Sequence, residues 1–411
     1  MNIPCLKCKG SNPMKNCGRT FCPITAKANA GIRVKNSLPS DNFSGSSPAP
    51  FVGHNSYPNL NVGILSPPEQ REDAWLYDAP NYWAAKEFQI PQIIDYRSAL
   101  INSRFKMNVR QTSKMLEVAQ EVGLASKPVD VEISLEDRPY FKLNTDSYLA
   151  PTGPNARLKQ VNVTSNPKIE YKVEKVFSDS DLKANDAINY LYNHGFSENF
   201  LTKILSVGTI GMKKDRKLVP TRWSITATDD MIAKDLNKKI KDYPSSDYKV
   251  YFGNYLGNYF IVLLMPDVWS YELFETYAPK AEWNVSSDYK YMTDYEGYDG
   301  RKTYASNCGG GYYASRLPII ERLHDMKRQA AVLVLRFITG EYAVPLGVWV
   351  VREAVRKTMN TRPLEFGSKD LMLKYVRELV RKKFNYNVEN LLKESILLKN
   401  LRVQQKLTNF I

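Results

Sequence analysis

Four of the five cysteines of this 411-residue chain lie close to its N-terminus. Cys5 and Cys8 form a C-x2-C pair, and Cys17 and Cys22 follow as a C-x4-C pair after eight residues. A two-residue gap lets one tight turn present two thiolates, and four thiolates complete the tetrahedral coordination that Zn²⁺ adopts. These four cysteines are therefore predicted to bind one Zn²⁺, which would supply the folding energy of residues 1–30.

The end of the chain carries a second motif that could bind a partner. Gln404 is followed after two residues by Leu407, and after two more by Phe410 and Ile411. In a 3-10 turn, residues three apart project from the same side, so Leu407 and Phe410 would form a two-pronged apolar plug. The spacing resembles the Gln-x-x-hydrophobic-x-x-aromatic-aromatic peptide of proteins that bind the DNA sliding clamp PCNA, with Ile411 in place of the second aromatic. The alternative is a frayed helix end.

Net charge is concentrated at the two ends of the chain. The formal net charge is +14. Residues 1–35 contribute +7 and residues 352–411 contribute +8, so the residues between them are close to neutral at −1. Two basic ends on a near-neutral body are typical of a protein that contacts a polyanion, and nucleic acid is favoured; a basic surface that serves solubility alone is the alternative. A membrane is not expected, because no segment places aromatic residues opposite a continuous lysine face.

Arg222 and Trp223 are candidates for nucleic-acid contact within the body. They lie between the basic stretch 213–217 and the acidic pair Asp229 and Asp230. An arginine binds a phosphate and a tryptophan ring stacks on a base, so the two together could grip a nucleotide. The alternative is a buried tryptophan beside an arginine that forms an ion pair with Asp229.

A second basic candidate lies on a predicted helix near the C-terminus. Lys374, Arg377 and Arg381 recur at helical spacing and share one face. Met372 and Val376 belong to an apolar face that would pack on the body. The basic face could contact phosphates without reading the base sequence. The alternative is a solvated face that binds no ligand.

The body offers scattered candidates for catalysis and no complete site. Glu69, Asp78 and Asp95 could hold Mg²⁺ for a nuclease, but carboxylates this scattered are more often surface or capping groups. Cys308 precedes three glycines and has no histidine close to it in sequence, which favours a buried thiol over a nucleophile. Walker A, HExxH, GxSxG and Rossmann patterns are absent from the sequence. The residues therefore leave open whether the protein is an enzyme.

The patterns that must position these residues predict an α+β fold. Alternating apolar residues predict strands and a β-hairpin at 131–135, 168–176 and 248–265. The hairpin carries two turn signals, Gly253-Asn254 and Gly257-Asn258. Helical spacing predicts helices at 179–192, 320–338, 349–359, 368–384 and 388–402. Ser368 and Asn387 are the predicted N-caps of the last two helices.

The predicted parts follow one another along the chain. They are a small four-cysteine zinc module at 1–30, a linker at 31–58, a mixed α/β core at 59–315, a mostly α-helical region at 316–403 and a clamp-binding peptide at 404–411. The chain starts without an apolar signal segment, and its longest clean apolar run, Tyr259–Met265, is far shorter than a membrane span. The protein is therefore expected to be soluble and cytoplasmic.

Four phrases of the body resemble the archaeal Nre family of DNA-repair proteins. They are Ser66-Pro-Pro-Glu69, Tyr77-Asp-Ala-Pro80 with Trp83, Arg216-Lys-Leu-Val-Pro-Thr-Arg-Trp-Ser-Ile-Thr226 and Gly309-Gly-Gly-Tyr-Tyr313. With the cysteine cluster and the tail, the resemblance extends over almost the whole chain and keeps the same order of parts. It implies a DNA-repair role in partnership with the sliding clamp, and it assigns no catalytic residue.

Three functions are compatible with these features. The first is a DNA-repair protein that is recruited by the clamp through residues 404–411 and binds DNA without catalysis. The second is a clamp-recruited, metal-dependent enzyme that acts on DNA or nucleotides. The third is a zinc-bearing, RNA-associated protein whose tail is incidental. The tail and the family resemblance favour the first two over the third.

Overall fold

The computed structural model of the chain describes two compact α+β units. The described residues are 15–16, 22, 41–139, 153–279, 281, 283–284 and 286–403. Unit 1 takes its residues from 1–232 and 344–347, and unit 2 from 233–343 and 348–411. Each unit contains one six-stranded mixed sheet, so the predicted α+β class is confirmed. Among the described helices, none is both long and apolar enough to cross a bilayer.

Unit 1 is built on a sheet with the strand order β1-β5-β6-β4-β3-β2. All neighbouring strands are antiparallel except β4 and β6, which are parallel. The strands are β1 (Asn42–Ser47), β2 (Ala49–Val52), β3 (Asn59–Ser66), β4 (Ile101–Asn108), β5 (Val129–Leu135) and β6 (Asn155–Val163). Strand β5 confirms the predicted strand at 131–135, and its alternate residues from Val129 to Leu135 point into the core.

Helices surround this sheet. They are α1 (Pro80–Ala85), α2 (Ile90–Ser98), α3 (Lys114–Leu124), α4 (Tyr171–Ser178), α5 (Ala184–Asn193), α6 (Glu198–Ser206) and α7 (Thr221–Ile240), the last of which begins in unit 1. Ser113 caps α3 by accepting a hydrogen bond from the Leu116 amide at 3.2 Å. The buried face of α3 then joins the inward strand residues in one core.

Pro48 forms a corner between the two edge strands of the first sheet. It alone separates β1 from β2, so the two edges of the sheet are consecutive in the chain. The Ser47 hydroxyl donates to the Leu65 carbonyl at 2.7 Å across this corner. The Lys203 ammonium, on α6, donates to the Pro48 carbonyl at 3.2 Å. Burial lowers the pKa of Lys203, and the charge of Asp78 partly opposes that shift.

Residues 42–52 belong to the sheet, although their composition had placed them in a linker. Their small residues allow close packing of strands: a Cβ on Gly45 would lie 2.1 Å from the Pro67 carbonyl oxygen. The serines of β1 also allow close strand contacts: the Ser46 hydroxyl donates to the carboxylate of Asp130, its partner on β5, at 2.5 Å. Small polar residues here therefore reflect a tight strand contact and not a flexible segment.

The predicted strand at 168–176 is wrong, because residues 171–178 form helix α4. Ile169, Tyr171 and Val173 alternate like a strand in sequence. In the helix, however, the buried residues are Val173 and Val176, three apart, and Tyr171 is exposed. The following helix, α5, begins at Ala184, later than predicted, because Asp179 instead accepts hydrogen bonds from the amides of a turn.

Unit 2 is built on a second sheet with the strand order β10-β9-β11-β8-β7-β12. The neighbours are antiparallel except β9 and β11, which are parallel. The strands are β7 (Tyr248–Tyr255), β8 (Asn258–Met265), β9 (Ser270–Tyr277), β10 (Lys290–Glu296), β11 (Ala331–Ile338) and β12 (Leu364–Phe366). The helices are α8 (Gly310–Asp325), α9 (Trp349–Met359), α10 (Lys369–Phe384), α11 (Glu389–Glu394) and α12 (Ile396–Val403).

The predicted hairpin at 248–265 is confirmed as β7 and β8, and it uses one of its two turn signals. Leu256 and Gly257 both have positive φ, as a two-residue turn between right-twisted strands requires. Gly253 lies inside β7 instead. A Cβ on Gly253 would come within 2.8 Å of the Thr358 hydroxyl on α9, so this glycine permits close packing of helix on strand.

The predicted helix at 320–338 is wrong in its second half. Helix α8 ends at Asp325, and residues 331–338 form the central strand β11. Lys327 has a left-handed φ of 52°, which separates the two elements. All eight residues of β11 are buried, so the strand shows no alternation that would distinguish it from a buried helix.

The C-terminal helices confirm most of the pattern. Helices α9 and α10 occupy the predicted ranges, and Ser368 caps α10 by accepting from the Leu371 amide at 3.3 Å. The predicted single helix at 388–402 is two helices, α11 and α12, that separate at Ser395. The buried Glu272 carboxylate, on strand β9, accepts hydrogen bonds from the first α12 amides, including that of Ile396 at 3.0 Å. Glu272 therefore caps α12 although it is far from this helix in sequence.

Gly311 makes room for a buried ion pair in unit 2. Arg336 pairs with Glu275, and it also donates to Asn258 at 2.6 Å. A Cβ on Gly311, in the first turn of α8, would lie 2.3 Å from a Glu275 carboxylate oxygen. A buried pair is costly to disturb, because either charge without its partner loses both water and counter-charge.

We therefore expect Gly311→Ala to lower the free energy of unfolding by about 3 kcal/mol, since it displaces one member of this pair. Denaturant unfolding followed by fluorescence measures the change. Gly340→Ala is the matched control, because its Cβ would meet nothing within 4 Å. The control should stay within about 0.5 kcal/mol of the unsubstituted protein. Equal stability of the two variants would contradict the role given to Gly311.

Candidate nucleic-acid interface

Two aromatic side chains lie exposed against each other on unit 1. The ring centroids of Tyr57 and Trp223 are 5.4 Å apart, and their planes are inclined by 45°. Each side chain is 47% exposed. We call Tyr57 and Trp223 the ring pair. The alternative of a buried Trp223 is wrong, and Tyr57 is a partner that the sequence did not single out.

The two backbone groups of Val109 connect the segments that carry the ring pair. The Val109 amide donates to the Pro58 carbonyl at 3.0 Å, and the Val109 carbonyl accepts from the Leu218 amide at 2.9 Å. These bonds join the loop after β2, the turn after β4 and the segment before α7, although the three are far apart in sequence. The surface is therefore formed by tertiary structure and not by one local motif.

Thr221 fixes the start of α7 to the end of β2. Its hydroxyl accepts from the Val52 amide at 2.9 Å and lies 3.0 Å from the Ser206 hydroxyl. Ser206 also donates to the Val219 carbonyl at 2.9 Å. The ring of Trp223 and the loop that carries Tyr57 are thus positioned by hydrogen bonds that need no ligand.

Exposed cations lie on the same segments that the Val109 bonds join. We call them the basic rim: Lys106, Arg110, Lys213, Lys214 and Lys217. Arg110 and Lys217 are each adjacent in sequence to a residue that takes part in the Val109 bonds. Segments 104–111 and 213–223 hold eight basic residues and a single acidic one, Asp215. The surface thus has a strong local excess of positive charge.

Two other arginines of this region, Arg216 and Arg222, are less exposed than the basic rim. Arg216 donates to the carbonyls of Phe177 and Asp179 at 2.8 and 2.7 Å, so it secures the end of α4. Arg222, which was predicted to grip a phosphate, is half-buried, and Asp229 is buried. Trp223 is thus the exposed member of the predicted Arg222–Trp223 pair.

The basic face predicted on α10 exists but is partly neutralised. Arg377 pairs with Glu389 at 2.8 Å, and Arg381 pairs with Glu378 at 2.6 Å. Lys374 is exposed. Two of the three predicted charges therefore have carboxylate partners, which makes this face a weaker candidate for phosphate contact than the basic rim.

The carboxylates considered for a metal site do not come together. Glu69 pairs with Arg71 at 2.8 Å, and Asp78 pairs with Arg97 at 2.6 Å. Asp95 lies on α2. Within the described part of the chain, no group of three or more His, Cys, Asp or Glu side chains is arranged to bind a metal ion. These residues therefore give no support to a nuclease-type Mg²⁺ site there.

Cys308 and the glycines after it lie in the interior of unit 2. Burial, reinforced by the negative charges of Glu275 and Asp294, raises the pKa of the Cys308 thiol far above its ordinary value. Asp294 accepts hydrogen bonds from the Asn307 and Cys308 amides at 3.0 and 2.8 Å. The expectation of a buried thiol is confirmed, and the glycine run begins a buried helix.

The predicted zinc ligands and the predicted clamp peptide lie almost wholly outside the described residues. Cys5, Cys8 and Cys17 are among the residues that are not described, as is all of 404–411; Cys22 is half-buried. Helix α12 leads up to the peptide, and its buried Leu397 and Leu398 belong to the core of unit 2. The peptide therefore follows directly after an anchored helix.

The chain is thus an α+β protein of two units, and unit 1 carries an exposed aromatic pair with exposed cations on the joined segments. A family model described as "Archaeal Nre, N-terminal" matches residues 16–284, and one described as "Archaeal Nre, C-terminal" matches residues 296–410. Together they cover most of the chain, and the chain belongs to the archaeal Nre family. The family resemblance read from the sequence is thus confirmed.

Curated relatives agree with the family models. The chain is 38% identical over 410 residues to a DNA repair protein NreB of Archaeoglobus fulgidus, and the match covers 100% of both chains. It is also 38% identical to DNA repair protein NreA of the same organism, over 90% of this chain and 92% of the relative. A Haloferax volcanii protein of that name is 38% identical over 76% of this chain and 77% of its own. No solved structure matches the chain.

Thr221 provides a test of how the ring pair is positioned. We expect Thr221→Val to leave the Val52 amide without its acceptor, which should destabilise unit 1 by about 1–3 kcal/mol and speed exchange of that amide. The fluorescence of Trp223 should shift as the loop of Tyr57 loosens. Thr221→Ser keeps the hydroxyl and should behave like the unsubstituted protein. Unchanged exchange at Val52 in the valine variant would show that this bond does not hold the loop.

Proposed function

We propose that this protein is a DNA-repair protein that reaches DNA by binding the sliding clamp PCNA through residues 404–411. The observation that carries the repair role is the full-length match to an NreB protein that is named a DNA repair protein. A match over all of both chains compares the same parts in the same order, so a shared role is the simplest account of it.

The position of the tail supports the clamp contact. The C-terminal family match extends to residue 410 and so includes most of the peptide. The peptide follows α12, whose Leu397 and Leu398 are packed in the core of unit 2, so binding of the peptide in a groove would not require α12 to leave that core. Burial of Leu407, Phe410 and Ile411 would give roughly 5–9 kcal/mol before the cost of ordering the tail, which is consistent with binding near micromolar.

DNA contact is assigned in this proposal to the basic rim around the ring pair. Phosphates favour clustered lysines and arginines, and the exposed rings offer a stacking surface beside them. Residues 1–35, which include the predicted zinc module, add seven positive charges. A metal-dependent activity has less support, since Glu69 and Asp78 are each paired with an arginine and no group of three or more possible ligands comes together among the described residues.

The clamp contact is tested with the purified clamp by calorimetry. We expect Phe410→Ala to weaken binding by about 2–4 kcal/mol, or roughly 30- to 1000-fold, because it removes the largest apolar anchor. Ile411→Phe should hold or improve affinity, since it restores the second aromatic. Thr408→Ala is the matched control, because it truncates a tail residue between the anchors and should change affinity little.

Deletion of residues 404–411 should abolish clamp binding and leave the unfolding transition unchanged, because no described core residue is removed. The deletion should also make cells sensitive to DNA damage. Equal clamp binding by the full-length and tail-deleted proteins would disprove the recruitment proposal.

The zinc module is tested by elemental analysis. We expect close to one Zn²⁺ per chain, held as a tetrahedral thiolate site by Cys5, Cys8, Cys17 and Cys22. Cys17→Ser should lose most of the metal, because it removes one of four ligands. Cys308→Ser is the matched control: its thiol is buried in unit 2, and zinc content should not change. Protein that is free of zinc when purified without chelators would contradict the module.

A further inference from the structure

We propose that the ring pair and the basic rim bind single-stranded DNA, with an unpaired base stacked on Tyr57 and Trp223. This inference rests on the proposed DNA-repair function and names the form of DNA that the surface recognises. It concerns unit 1 alone and is independent of the tail and of the zinc module.

The first support is that the two rings are exposed and held in place. An exposed tryptophan and an exposed tyrosine in contact leave a large apolar area in water. Their segments are fixed by the Val109 bonds and by Thr221, so the rings are positioned in advance of binding. Rings held in this way lose little conformational entropy when a base stacks on them.

The second support is the charge around the rings. The five lysines and arginines of the basic rim come from β4, the turn after it and the segment before α7. The Val109 bonds join both of these segments to the loop of Tyr57, so phosphates of a strand stacked on the rings would meet a basic surface. A second exposed aromatic contact in unit 1, Trp75 with Tyr82, has the acidic Glu69, Glu72 and Asp73 close in sequence. Lys86 lies over the Tyr82 ring, but residues 69–87 hold five acidic and two basic residues, so the net charge around that contact is negative and unfavourable to a polyanion.

The choice of single strand over duplex follows from geometry. In a duplex the faces of the bases are covered by their neighbours, and the grooves present base edges to hydrogen-bonding side chains. A ring pair offers flat apolar faces, which are complementary to the face of an unpaired base. Stacking tolerates every base, so this surface should bind single strands with little sequence preference.

Fluorescence anisotropy with a labelled single-stranded DNA oligonucleotide, and with the same sequence as a blunt duplex, tests the inference in the full-length protein. We expect tighter binding of the single strand. Trp223→Ala should weaken single-strand binding roughly 5- to 100-fold with little change in salt dependence, because it removes a stacking face and no charge. Trp223→Phe should recover much of that loss. Trp75→Ala, the matched aromatic control, should bind like the unsubstituted protein.

Charge variants separate the role of the basic rim from that of net charge. The triple variant Lys106→Ala, Arg110→Ala, Lys217→Ala should weaken binding and reduce the slope of log K against log salt by about 2. The triple variant Lys374→Ala, Arg377→Ala, Arg381→Ala removes the same number of positive charges from α10 and is the control. Equal losses in both triple variants would overturn the assignment to the basic rim.

Two further outcomes would also overturn the inference. One is that the protein binds the duplex as tightly as the single strand and that Trp223→Ala changes neither affinity. The other is tighter binding of an RNA oligonucleotide of the same sequence, which would make RNA the ligand of this surface. Clamp binding by Trp223→Ala should remain unchanged in calorimetry. Failure of stacking with intact clamp binding therefore rejects this inference alone, whereas loss of tail-dependent clamp binding rejects the recruitment proposal.

Discussion

The two backbone hydrogen bonds of Val109 are the constraint on which the candidate surface of unit 1 depends. They join Pro58 and Leu218, which lie near opposite ends of the sequence of unit 1. A backbone amide and carbonyl at the end of a strand must find partners, and these two find them in the loops that carry the rings. The surface is therefore a consequence of how the sheet of unit 1 ends. The segments that carry its cations and rings are joined because the chain satisfies its own polar groups there.

Several residues of the family phrases and of the segment around Cys308 satisfy similar internal needs. Arg216 secures the end of α4, and Asp294 accepts the amides before α8. Gly311 leaves room for the Glu275–Arg336 pair, since a Cβ there would lie 2.3 Å from a Glu275 carboxylate oxygen. Such groups are demanding because buried charges need partners at short range. The family phrases that contain Arg216 and Gly311 therefore include positions that the fold itself requires, beside Trp223, which faces solvent.

The sequence predicted the α+β class, the hairpin at 248–265 and helices α9 and α10, because their periodicity or caps are local signals. It could not separate the fully buried β11 from a helix, since a strand buried on both faces has no period. It identified Trp223 but missed Tyr57 and Arg110, because only long-range hydrogen bonds bring them together. A scarcity of acidic residues in 104–111 and 213–223 was the one signal that could have indicated the surface.

The near-neutral net charge of the body is therefore the sum of basic and acidic segments that are separated along the chain. Acidic residues elsewhere balance the basic segments in the sum, although a ligand meets the local field and not the total charge. Under the proposed function, a surface of this kind needs only modest affinity for DNA. A tail held on the clamp would raise the effective concentration of DNA near unit 1 to the millimolar range, so weak stacking and weak phosphate contacts become sufficient. Weak, sequence-tolerant binding also suits repair, since the protein must release each site and accept any base beside a lesion.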